Sequence, residues 1–384
     1  MGPEAHPVGL VQRLRKTWRG LAVNGALLAV LLLVAEGGLR VLGIHFPAIG
    51  RVAGDRALWR YHPMLGWDNR PGAVGRSFLG GPDAGDVRID SLGLRGPERA
   101  TRKPAGVRRV LVFGDSFVFG VGVDEPHLLT SELQRLLDRT APGRYEVLNL
   151  GVSGYSTDQQ YLLLQERGLA LGPDIAVLVA CDNDFAANLE DFAYGHYYKP
   201  YFVSEESGKL RLGHSPVPTL GAAQRVKLWL GQRSELWNAV RSRRSELPWL
   251  QRTLASMQVA RPRRSREDPV GLTAALVLAF RDLVERAGGR LVLLNTGHRG
   301  EQTPLFHELR KLLRPTGLAF LGLEESLAEA RRRAPELAWD FDRDPHWNVA
   351  AHELVARVIH AFLVAEGLLP SAPDDVPLEL APAG

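Results

Sequence analysis

The apolar run Val110-Leu111-Val112-Phe113 breaks off into Gly114-Asp115-Ser116, with glycines following at 120 and 122. That pattern predicts a serine presented at the tip of a buried strand. A serine hydroxyl is a nucleophile only with a base beside it and hydrogen-bond donors facing the developing oxyanion. Three later stretches supply candidates in chain order. Asn149-Leu150-Gly151-Val152-Ser153-Gly154-Tyr155-Ser156-Thr157 contains glycines whose turns can expose a backbone N–H. Asp182-Asn183-Asp184 follows Cys181 and brings an amide donor, and Asp344-Pro345-His346-Trp347-Asn348 brings an imidazole and a carboxylate at the start of the last helical pattern. Together these residue types suit acyl transfer through a serine.

The elements that must position them alternate regularly. Strand-length apolar runs at Arg109 to Phe113, Glu146 to Leu150, Ile175 to Cys181, Arg290 to Asn295 and Leu318 to Leu321 are separated by helical patterns. The helices are expected at His127 to Leu137, Asp158 to Gly168, Gly271 to Ala287, Pro304 to Leu313 and Asn348 to Leu363, where leucines and valines recur at three- and four-residue spacing. Such alternation implies an α/β domain with a parallel sheet covered on both faces. Residues 186–268 are too long for a simple crossover. They hold Tyr194, Tyr197, Tyr198, Tyr201 and Phe202, then a hairpin-like Glu205-Glu206-Ser207-Gly208-Lys209, then a helical stretch with Trp229 and Trp237. This insertion reads either as a substrate lip or as a patch with its own small core.

The N-terminal region carries an address. Gly20 to Ala35 is uncharged and mainly aliphatic, and the run continues to Ile44 interrupted only by Glu36 and Arg40. Those two stand four apart, so on a helix they pair, and about 24 such residues span roughly 30 Å of hydrocarbon. No small-residue cleavage site follows the run, which favours an uncleaved anchor. Arg13, Arg15, Lys16 and Arg19 precede it and place residues 1–19 in the cytoplasm, with the catalytic region outside, periplasmic or extracellular. The expected organisation is a cytoplasmic segment at 1–19, an anchor at 20–44, a connecting segment packed on the main domain at 45–106, the main domain at 107–370 and a Pro-rich, disordered tail at 371–384.

Composition excludes some functions. The formal charge of +4 comes from scattered arginine clusters without interleaved aromatics, which argues against nucleic acid. The single Cys181 forms no internal disulfide and supplies no metal site. Asp340, Asp342 and Asp344 are spaced like a calcium loop, but Pro345 stands where that loop needs glycine and Ala351 where it needs a bidentate acid. No cofactor or metal is expected.

The four stretches in this order resemble the SGNH, or GDSL, hydrolase superfamily over roughly residues 107 to 366, and in particular its bacterial membrane-anchored members. The resemblance implies a three-layer α/β/α domain with a flavodoxin-like, mostly parallel sheet of about five strands. It implies Ser116 as nucleophile, His346 as general base, and an oxyanion hole made of the Ser116 and Gly154 N–H groups and the Asn183 side chain. Asp344 is the candidate for orienting His346. Many members carry that acid three residues before the histidine, where this chain has Arg343. In an extended segment Asp344 and His346 project to the same side, and Asp342 shares that parity as the reserve. Phe117 replaces the usual aliphatic residue and is expected to alter packing only. Asp115 is read as a brace for the nucleophile turn, Asp184 as a cap or a partner of Asn183, and His352 as a structural hydrogen-bonder.

The resulting expectation is a serine esterase acting on a small-molecule or glycan acyl ester. The alternatives are an acyltransferase passing an acetyl or acyl group to an envelope glycan, and a non-catalytic binding protein on the same fold.

Overall fold

A computed structural model of the chain describes residues 7–44, 46, 58–78, 84–193, 197–205, 208–243, 268–297, 304–341 and 344–370, with side chains of the first helix from Thr17 onward. Five strands form the central sheet: β1 (Arg108–Gly114), β2 (Tyr145–Gly151), β3 (Ile175–Ala180), β4 (Arg290–Asn295) and β5 (Ala319–Gly322). Their spatial order is β2-β1-β3-β4-β5, and every pairing is parallel. This is the doubly wound, flavodoxin-like order.

The strands are nearly continuous apolar runs because both faces are covered, and the two-residue period divides each between two cores. Leu111, Phe113, Ala176, Leu178, Leu291 and Leu293 face the helices Thr157–Leu163, Pro269–Arg286 and Pro304–Leu313. Val110, Val112, Ile175, Val177, Val292 and Leu294 face Leu129–Thr140, Glu324–Arg333 and Val349–Ala365. Three layers result, as expected. The helix Glu324–Arg333 was not anticipated, because its single turn-spaced apolar pair, Leu327 and Ala330, sits in a run of charges.

The chain leaves β1 for β2 on one side and later reaches β3 on the other. The carboxyl ends of β1, β2 and β3 therefore surround a topological switch point, where doubly wound sheets open a crevice. Register brings Gly114 opposite Gly151, so the loops after both strands start at one level.

Two antiparallel hairpins precede the sheet, Trp59–His62 with Gly66–Asn69 and Val74–Phe78 with Ala84–Arg88. Trp59, Trp67, Val87 and Ile89 bury into the first core. From the insertion, Tyr197 and Phe202 bury there too: the Tyr197 ring lies 5.6 Å from Trp59 and 5.3 Å from Trp67, and Phe202 lies 5.6 Å from Tyr161. These two rings are packing residues. Tyr201–Ser204 pairs with Leu210–Gly213 in the hairpin expected there, although Tyr194, Glu206 and Ser207 lie outside the described residues. The tail from 371 and the arginine cluster at 261–266 also lie outside them.

The first helix runs Pro7–Val41, and its segment Thr17–Val41 is long and apolar enough to cross a membrane. None of the most apolar stretch is buried against the rest of the molecule.

Candidate active site

β1 ends at Gly114, and Ser116 opens a one-turn helix, Ser116–Phe119. Asp115 caps that turn by accepting the Phe117 N–H at 3.0 Å. The turn sits against the neighbouring strand because Gly151 has no side chain: a Cβ there would come within 2.3 Å of the Phe119 nitrogen. At its far end Arg95, fully buried, donates to the carbonyls of Phe119 at 2.7 Å and Gly120 at 2.8 Å, and its guanidinium lies 4.5 Å from the Phe119 ring centre. The Asn149 amide donates to the Val118 carbonyl at 2.7 Å. The serine is thus held at both ends of its turn by buried polar groups.

Asp344–Trp347 forms a short strand paired with Asp340–Phe341 just before the last helix. It brings His346 to the serine, with Nε2 2.7 Å from Ser116 Oγ. The other ring nitrogen, Nδ1, bonds the Asp344 carboxylate, which also accepts the His346 main-chain N–H at 2.9 Å. One carboxylate oxygen therefore anchors both the backbone and the ring of the same histidine. Burial works to raise the Asp344 carboxyl, but its bonds to His346 and the charge of the ring hold it below the usual carboxylate value. The reserve acid Asp342, and Arg343 beside it, lie outside the described residues. Phe117 packs its ring 5.0 Å from the imidazole and 4.9 Å from Trp347, so the departure at this position contributes to seating the histidine.

Gly154 lies in the turn after β2 with φ of +80°, a conformation that favours glycine. Its preceding carbonyl, on Ser153, accepts the Trp67 indole N–H at 3.2 Å, and the Tyr155 hydroxyl donates to the Trp67 carbonyl. Asn69 donates to the Gly151 carbonyl at 3.2 Å. Asn183 is exposed in the first turn of Asp182–Ala187. Asp184 accepts from Thr157 Oγ1 at 3.0 Å and from the Cys181 N–H at 3.4 Å, joining the β2 and β3 loops. Burial pushes the carboxyls of Asp115 and Asp184 up, and the charge of Asp115 discourages Asp184 further from ionising. Burial likewise raises the Cys181 thiol, a poor setting for a reactive thiolate.

His352 is buried on the last helix and accepts the Leu129 N–H on Nδ1 at 3.0 Å, which makes it a structural hydrogen-bonder. Among the described residues no three His, Cys, Asp or Glu side chains converge as metal ligands.

Trp67, Asn69 and Arg95 were invisible as contributors to this site. They belong to the stretch read as a connecting segment, where isolated aromatic and charged residues carry no period that would mark a buried face. Lys199 of the insertion was missed for the same reason. Its ammonium is buried against Asp158 Oδ2 at 2.8 Å, Ser156 Oγ at 2.7 Å and the Ala187 carbonyl at 2.7 Å, just beyond the Gly154 turn.

Serine, histidine and aspartate thus stand in hydrogen-bonded series at the carboxyl edge of a doubly wound parallel sheet. Residues 112–354 match the GDSL-like lipase/acylhydrolase family, and the chain belongs to it, which makes it an ester-hydrolysing enzyme. None of the curated proteins matches the chain. Among solved structures, it is 16% identical to Axe2, an acetylxylan esterase from Geobacillus stearothermophilus, over 67% of this chain and 94% of that one, with a TM-score of 0.36. The acetyl xylan esterase AlAXEase is 16% identical over 66% of this chain and 98% of its own, with a TM-score of 0.38. LAE5, an alpha/beta hydrolase from the metagenome of Lake Arreo, Spain, is 16% identical over 70% and 99%, with a TM-score of 0.38.

Proposed function

We propose that this chain is a membrane-anchored serine esterase whose catalytic domain works outside the cytoplasm. The observation that carries the catalytic reading is the 2.7 Å contact between His346 Nε2 and Ser116 Oγ, with Asp344 on the opposite ring nitrogen. His346 takes the hydroxyl proton as Ser116 attacks the ester carbonyl, and Asp344 stabilises the imidazolium that forms. The oxyanion is received by the N–H groups of Ser116 and Gly154 and by the Asn183 amide. His346 then protonates the departing alcohol, leaving an acyl group on Ser116, and a water activated by the same imidazole releases the acid. The half-buried setting of Ser116 and His346 leaves the pair reachable by substrate and favours catalysis over mere binding.

The anchoring reading rests on the apolar helix and on the basic residues before it. A reporter fused after Gly384 that works only in an oxidising compartment should be active, and activity of a cytoplasm-only reporter would reverse the orientation.

The catalytic reading is tested on the purified full-length enzyme with p-nitrophenyl esters of graded chain length and with acetylated glycans. Release of free acid from any of them, abolished by Ser116→Ala, is expected. Transfer of the acyl group to an added glycan hydroxyl, in place of acid release, would redirect the assignment to an acyltransferase. No turnover of either kind would leave a binding protein.

A further inference from the structure

Glu36 and Arg40 are the two charges that interrupt the apolar span, and both are engaged by the insertion. Glu36 accepts the N–H groups of Glu235 at 3.1 Å and Leu236 at 3.0 Å and the Ser234 hydroxyl at 2.9 Å, capping the helix Glu235–Ser242. Arg40 pairs with Glu36 at 2.8 Å and donates to the Arg233 carbonyl, the last residue of Ala222–Arg233. Beyond the span, the Phe46 N–H donates to Glu235 Oε2 at 3.1 Å. The junction between these two insertion helices is therefore tied to the anchor at the depth of Glu36 and Arg40.

That depth follows from helix geometry. The 25 residues Thr17–Val41 rise about 37 Å untilted, against about 30 Å of hydrocarbon. With the span centred near residue 29, Glu36 lies about 10 Å from the midplane, some 5 Å inside the hydrocarbon edge, and Arg40 lies about 16 Å out, among headgroups. The helix junction bonded to them sits at that same boundary. A carboxylate there needs every partner it has, which accounts for its four donors. The adjoining helices carry the side chains this level favours. Val226, Trp229 and Val240 are 58%, 54% and 45% exposed, and Arg225 and Lys227 are exposed beside them. The Arg233 guanidinium lies 5.6 Å from the Trp229 ring centre. Exposed apolar and indole groups ringed by long cations match the edge of a bilayer, where the stems stay apolar and the charges reach phosphate.

We propose that helices Ala222–Arg233 and Glu235–Ser242 lie in the headgroup boundary of the phospholipid bilayer that holds the anchor and form a second membrane contact of the catalytic domain. The proposal rests on the reading of the first helix as an anchor.

The test places single cysteines, Val226→Cys, Val240→Cys, Leu28→Cys in the anchor and Leu312→Cys on the exposed face of Pro304–Leu313, in the full-length chain. Cys181 is buried, and the unsubstituted chain serves as the labelling control. Each is labelled with an environment-sensitive fluorophore and reconstituted in phosphatidylcholine and phosphatidylglycerol vesicles with or without brominated acyl chains. Labels at 226 and 240 should shift to the blue and lose emission to brominated lipid, as the label at 28 does, while that at 312 does neither. Labels at 226 and 240 that behave like 312 while 28 is quenched overturn the proposal and spare the anchor. Labels at 226 and 240 that shift to the blue without quenching indicate that a second copy of the chain covers them and also overturn it. A label at 28 that is not quenched removes the anchor itself and the proposal with it.

Discussion

The indole N–H of Trp67 bonds the carbonyl of Ser153 across 3.2 Å, and that carbonyl belongs to the peptide whose N–H is on Gly154. The peptide is trans, so its N–H points opposite to its C=O. A buried indole in the first hairpin pair therefore fixes the direction of the proposed oxyanion donor, and the Tyr155 hydroxyl in turn fixes Trp67 through its carbonyl. Trp67→Phe keeps an aromatic ring in place and removes the donor. We expect kcat to fall about 10- to 100-fold with little change in KM, somewhat less than the loss of a whole oxyanion donor. Steady-state kinetics on an activated ester, with a melting curve to show the fold is intact, decide the matter; an unchanged kcat would reduce Trp67 to a packing residue.

Ser116→Ala deletes the attacking oxygen and little volume. Turnover should drop by about 10⁴ to 10⁶ with the melting temperature nearly unchanged. Retention of more than about a tenth of the activity by the purified variant would remove Ser116 as nucleophile.

Asp344→Asn replaces the carboxylate that holds both the ring and the backbone N–H of His346. We expect kcat to fall by about 10³ to 10⁴ with KM little altered, because the amide stabilises the imidazolium poorly and can favour the wrong tautomer. Asp342→Asn should affect kcat much less. The reverse ranking would hand the role to Asp342.

His352 gives the fold a pH dependence of known sign. Burial first, then the charges of Arg95 and His346, push its pKa down from 6.5 to about 3. The unfolded chain thus binds a proton that the folded chain refuses, so stability is full above the unfolded value and declines as pH falls toward the folded one. Between about pH 7.5 and about pH 5 this group alone accounts for on the order of 2 kcal/mol. Urea melts should show that slope flattened in His352→Asn, which offers Leu129 an uncharged acceptor. A slope unchanged by the substitution would assign the acid sensitivity to other groups.

Lys199→Met should lower stability by about 3–5 kcal/mol, because it strands the Asp158 carboxylate in a dry site. Combining it with Asp158→Asn should recover part of that loss. Denaturant titration of the two variants measures it, and a single variant as stable as wild type would show that water reaches Asp158.

The sheet was legible because its physics is local. A strand covered on both faces must be apolar throughout, and the five runs fell within a residue or two of β1 to β5. The Ser116, Gly154, Asn183 and His346 stretches were legible because each lies at the end of such a run or the start of a helix, where backbone groups are free to face a ligand. Even the pairing of Asp344 with His346 across Pro345 follows from the two-residue period of an extended chain, and the structure has the two in contact.

What only the tertiary structure decided was which distant residues brace those stretches. Trp67, Asn69, Arg95 and Lys199 each satisfy a carbonyl or carboxylate of the site from far along the chain: Arg95 and Phe119 are 24 residues apart, Lys199 and Asp158 41, Asn69 and Gly151 82, and Trp67 and Ser153 86. The same holds for Glu36 and the helix it caps 199 residues later. A buried hydrogen bond of this kind depends on where two separate loops land, and no period within either loop records it. The chain's own order of apolar runs determined the sheet and the chemistry at its edge, while the orientation of that chemistry was settled by polar groups that meet only after the cores have closed.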